Sequence, residues 1–191
     1  MGIITLYRAI DAAKAQEISK LSQSDAEAWL TQQIWDQDKD DEWELDLLKS
    51  ALKLHVCLTG EASDGVGKNY PWNKCFFGER VLCNTEVYGS LLLPDEVKDV
   101  AAALENVNRA WFKDLYFQNK PWRHNRFRLT KLGLSNLWGL WTSRVKVLEP
   151  EQPAAEEAEE EIDWLFERVL DMRDFFRRCA QENRAVVFTQ H

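Results

Sequence analysis

The run EEEIDWLFERVLDMRDFFRRCAQENRAVVF, Glu159 to Phe188, carries the clearest periodicity in the chain. Ile162, Leu165, Val169, Met172, Phe176 and Cys179 or Ala180 recur at alternating steps of three and four. That spacing draws one apolar stripe along a helix, and the stripe must lie against a sheet or another helix. Asn183 ends the helix, and Ala185 to Thr189 reads as a final buried strand. Just upstream, EPEQPAAEEAEEE (Glu149 to Glu161) is of low complexity and like charge, a solvated acidic linker that becomes the helix's first turns.

Working outward, Ile3, Ile4, Leu6 and Tyr7 make Gly2 to Arg8 a short strand, which stops where Asp11 can cap a helix. The sheet is expected to include both terminal strands. A second helix is announced by Ser24 with Glu27 three residues on, the capping-box spacing, and presents Trp29, Leu30 and Ile34. From Glu42 to Leu58 the positions Leu45, Leu48, Leu52 and His55 or Val56 predict one core helix, widened by Leu47, Leu54 and Leu58 and ended at Thr59-Gly60. A polar loop runs to about Lys74, and β-like stretches follow at Phe76 to Leu82 and Val87 to Leu92. Pro94-Asp95-Glu96 opens a helix that buries Val97, Ala101 and Leu104. Asn108 caps another, carrying Trp111, Phe112 and Leu115. Lys120 to Lys146 is basic, Trp-rich and without clear period, so it reads as irregular with a helical turn or two.

The 191 residues, 45% of them hydrophobic, suit a single domain spanning 1–191, with a divergent basic segment at about 118–147 and the acidic linker at about 149–161. The opening MGIITLYRAI lacks the parts of a secretory signal, and no stretch is long and apolar enough to span a bilayer, so a cytoplasmic protein with no membrane partner is expected. Cys57, Cys75, Cys83 and Cys179 stand alone, which predicts free thiols and no metal site. A net charge of −8 opposes attraction to phosphate backbones and favours a basic protein as partner. Nine tryptophans exceed what a core of this size requires, and Trp is the residue most enriched at binding hot spots.

Possible chemical motifs fail on inspection. GEASDGVGKN (Gly60 to Asn69) resembles a phosphate loop, but Ala62 replaces its first Gly, Asn69 replaces the magnesium-binding hydroxyl, and the preceding element is a helix. Asp36, Asp38 and Asp40 match the start of a calcium loop, yet Asp41 stands where the turning Gly belongs and Leu47 where the closing Glu belongs. His55 and Cys57 lie two residues apart on a helix, about 200° around its axis, and cannot form a dyad. His55 falls on the leucine stripe, where a core histidine is the expectation. KPWRHNRFRLTK (Lys120 to Lys131) mixes aromatic and basic residues as nucleic-acid binders do, but the acidic whole argues against that partner. No catalytic group, cofactor or metal is assigned.

Three stretches in order resemble the YfbM-like family of uncharacterised bacterial proteins: LDLLKSALKLHVCLTGE (Leu45 to Glu61), FFGERVL with VYGSLLLPDEVKDVAAALENV (Phe76 to Val107), and Glu159 to Phe188. The resemblance implies an α+β fold, a mixed sheet flanked by helices, and no established activity. If the family has a pocket, the matching residues His55, Thr59, Gly60, Gly78, Glu79, Tyr88 and Gly89 would line or shape it. Leu93 stands where the family carries a hydroxyl capping residue, and Lys120 to Val147 does not match.

The expectation for function is a non-enzymatic, protein-binding protein, specifically an immunity protein that neutralises a bacterial toxin by covering it. Trp111, Trp122, Trp138 and Trp141 would hold the toxin, and the acidic runs, including Asp38, Asp40, Asp41 and Glu42, would steer it in. The alternative is a small-molecule-binding protein or enzyme using the YfbM-like region.

Overall fold

Strand β5 (Ala185–Gln190) sits at the centre of the sheet, because its run AVVFTQ is apolar on both faces and needs cover on both. The computed structural model describes residues 5–35, 43–47, 50–61, 70–78, 80–84, 88–124 and 152–190. With β1 (Thr5–Ile10), β2 (Glu44–Asp46), β3 (Arg80–Asn84) and β4 (Tyr88–Leu92), β5 forms a five-stranded sheet of order β2-β1-β5-β4-β3. The two terminal strands pair in register, with Tyr7 opposite Phe188. Every described pairing is antiparallel, a correction to the mixed sheet implied by the resemblance.

The faces separate by residue parity. Ala185 and Val187 join Leu82 and Leu91 under α1 (Ala12–Ile18) and α2 (Gln23–Trp35). Val186 and Phe188 join Tyr7 and Leu92 under α3 (Ala51–Thr59), α4 (Pro94–Glu105), α5 (Arg109–Asn119) and α6 (Ala155–Gln181). The result is an α+β architecture with helices on both sides of one sheet.

Helix α6 is as its periodicity predicts: Ile162, Leu165, Val169, Met172, Phe176 and Cys179 are all buried. It ends in a Schellman turn, where Asn183 takes φ 52° and the Arg184 N–H donates to the Cys179 carbonyl at 2.8 Å. Helix α5 begins at Asn108, whose Oδ1 accepts from the Trp111 N–H at 3.0 Å.

Other expectations need correction. The helix predicted from Glu42 starts only at Ala51, and Glu44–Asp46 is a strand beside β1. Trp43, Leu45 and Leu47 alternate with Glu44 and Asp46, a period of two concealed within a longer three-and-four count, and they pack on the α6 side of the sheet. Leu52, assigned to the stripe, is exposed. Helix α2 is capped by Ser22 rather than Ser24, the Ser22 hydroxyl accepting from the Asp25 N–H at 3.2 Å. The strand expected from Phe76 begins at Arg80, because Trp72–Cys75 forms a 3-10 turn that drops Phe76 into the core.

Candidate functional site

Of the residues matched to the family signature, Tyr88 and Gly89 face opposite sides of the sheet. His55, in α3, is 3% exposed, its ring edge-on to Phe76 at 5.3 Å and to Phe77 at 5.0 Å. Phe77 in turn meets Tyr88 at 5.5 Å, so His55 and Tyr88 belong to one aromatic chain that continues to Phe188 and Tyr7. Thr59 is buried, and its hydroxyl donates to the His55 carbonyl at 2.7 Å. Gly60 ends α3 at φ 75°, a conformation that favours glycine. Asn119 of α5 closes over that end, its side-chain amide donating to the Cys57 carbonyl at 2.7 Å.

Gly78 donates its N–H to the Ser90 hydroxyl at 2.8 Å and runs close against β4. Gly89 faces the opposite side of the sheet, toward Leu30 of α2, so one strand sends Tyr88 and Gly89 to different cores. Glu79 lies outside the described residues.

The groups best suited to nucleophilic or acid–base work are built into the packing. All four cysteines are buried and free. Burial pushes the thiols of Cys57 and Cys75 far up, and that of Cys179 up to about 12, so none of these three is poised as a thiolate. Sequence reading missed a polar knot between α3, α5 and α6. Lys53 and Tyr116 both donate to the Glu161 carboxylate, and burial followed by that carboxylate raises the Tyr116 hydroxyl, keeping it a donor. Trp122 covers the Tyr116 ring at 5.1 Å.

Of the tryptophans expected to hold a partner, Trp111 is half-buried and rests on Trp72 at 5.4 Å, and Trp122 is half-buried. Trp138 and Trp141 lie outside the described residues, as do Asp38, Asp40, Asp41 and Glu42. A different indole is exposed: Trp164, at 41%. It stands in the outer row of α6, where Glu157, Glu160, Trp164, Glu167, Asp171, Asp174 and Arg178 are all exposed at alternating steps of three and four. Asp171 is paired with Arg168 at 2.8 Å, and Asp174 with Arg173 and Arg177 at 3.3 Å. Glu157, Glu160 and Glu167 pair with no described residue. The signal for Trp164 was in the sequence, an indole on a helix but off its apolar stripe.

No helix among the described residues is long and apolar enough to cross a membrane. No curated protein matches the chain. The crystal structure of a protein of unknown function, YfbM from Escherichia coli, is similar with a TM-score of 0.63 and 15% identity, over 98% of this chain and 99% of that one. Identity that low establishes a common fold and leaves activity open. The family model described as a domain of unknown function, DUF1877, matches residues 1–123, more than half of the chain, and the protein belongs to that family.

Proposed function

We propose that this protein works in the cytoplasm by binding another protein, as an immunity-type inhibitor that covers the working face of a basic toxin. The observation that carries the reading is Trp164, an indole 41% exposed amid a row of carboxylates. A large apolar side chain in water gains most when a partner buries it, and its acidic surroundings select which partner arrives. The net charge of −8 extends that selection over distance. The half-buried Trp111 and Trp122, with Trp138, Trp141 and the acidic run Asp38 to Glu42, would widen the contact. An inhibitor of this kind needs no catalytic group, since burying on the order of 1,600 Å² can suffice for tight binding.

The test is co-expression with the product of the adjacent upstream gene, scored by growth. Rescue that fails with folded Trp→Ala variants is the expected result. Neutralising the acidic runs should mainly slow association and flatten its salt dependence. A neighbour that is not toxic, or full protection by variants with all of these indoles removed, would overturn the proposal.

A further inference from the structure

Resting on the protein-binding reading, we infer that the outer row of α6 is the docking surface and that its occupant is an arginine-bearing helix of the partner. The row runs from Glu157 to Arg178 at steps of three and four, a mean of 3.5 that keeps one seam turned toward a second helix. Successive members rise about 5 Å along the axis. An extended segment presents same-side residues about every 7 Å and would fall out of step within a few residues.

Charge names the occupant's chemistry. Glu157, Glu160 and Glu167 surround Trp164 within two turns and pair with no described residue, whereas Asp171 and Asp174 are already neutralised by arginines of α6 itself. Among the described residues, the unpaired negative charge of this row therefore lies around the indole. An indole face takes a guanidinium well, and this fold makes such a contact elsewhere: Arg184 sits 3.9 Å over the Trp43 ring. Arginine suits the place better than lysine, since its planar cation stacks on the ring while its edge donates to flanking carboxylates. A second copy of the chain, bringing the same acidic row, would be repelled.

The test titrates a synthetic 18-residue peptide into the full chain by calorimetry, at low and physiological salt. The peptide carries arginines at alternating steps of three and four on an alanine and glutamine background. Binding should weaken about fivefold to tenfold with Trp164→Ala. It should also weaken when lysines replace the arginines, and lose most of its salt dependence in the triple variant Glu157→Gln, Glu160→Gln, Glu167→Gln. These positions are exposed, so the variants should keep the parent's melting temperature. Equal affinity for a peptide of the same composition with its arginines two apart, or no change with Trp164→Ala, would reduce the attraction to unspecific charge and overturn the inference. The co-expression assay separates the two proposals. Rescue retained by Trp164→Ala would sink this surface and leave the protein-binding reading standing. Trp164-dependent peptide binding beside a harmless neighbour would support the surface and sink the toxin.

Discussion

A Cβ added at Gly78 would lie 2.4 Å from the Leu91 carbonyl oxygen, while one at Gly89 would lie 2.1 Å from the Leu30 Cδ2. The nearer contact is the more forgiving, because Leu30 can rotate its side chain at some cost in packing, whereas the Leu91 carbonyl belongs to β4. Gly78→Ala should therefore destabilise by about 3 kcal/mol and Gly89→Ala by less, measured by denaturant unfolding. The opposite order would mean that β3 and β4 yield more readily than the Leu30 pocket. His55 follows the same logic: its edge-on contacts with Phe76 and Phe77 make it part of the core, as its place among leucines predicts.

Among the elements, α4 has an incomplete start. Glu96 accepts from the Leu93 N–H at 2.8 Å, which is half of a capping box, but Leu93 has no side-chain acceptor to return to the Glu96 amide. Leu93→Ser would supply it at a position already 39% exposed. The expected gain is about 0.5–1 kcal/mol, read as a higher melting temperature, and a fall would show that the leucine's remaining contacts outweigh the cap. Helix α6 predicts the reverse effect. Phe176 is fully buried and meets Tyr7 edge-on at 5.8 Å, so Phe176→Ala should cost about 3–5 kcal/mol. An unchanged melt would separate α6 from the sheet it is seen to cover.

For the molecule as a whole, pH acts from two directions. Burial holds the protons of Tyr7, Cys57, Cys75 and Cys179 beyond the pH at which the unfolded chain releases them. Their contribution is complete below the unfolded thiol value of 9.0 and is lost as pH rises beyond it, for Cys179 toward about 12. Melting temperature should thus fall above about pH 9, and Cys179→Ala should soften that fall. On the acid side, hydrogen bonds from Arg177 to Glu105, and from Lys113 and Arg109 to Glu159, hold both carboxyls below the usual range. Their support is present at neutral pH and lost as pH falls through the carboxylate range. Glu105 is exposed and Glu159 partly so, and the loss should be small and shrink with added salt. A melt flat from neutral to strongly alkaline pH would contradict the burial of the thiols.

Helix α6, its buried stripe, its stop at Asn183, the two terminal strands and the Asn108 cap are all legible in the chain, because each depends on side chains within a few residues of one another. Periodicity and capping are local chemistry. Strand β2 is not legible in that way: three residues between a tryptophan and two leucines become a strand because β1 offers them an edge to pair with. The knot of Lys53, Tyr116 and Glu161 joins residues 108 and 45 positions apart, a closeness that no spacing rule encodes. Trp164 divides between the two. Its departure from the apolar stripe is a sequence fact, but its exposure depends on which helix faces found partners in the folded chain. Tyr88 and Gly89 went the other way, for although they are neighbours in the signature it is the sheet whose parity sends them to opposite faces.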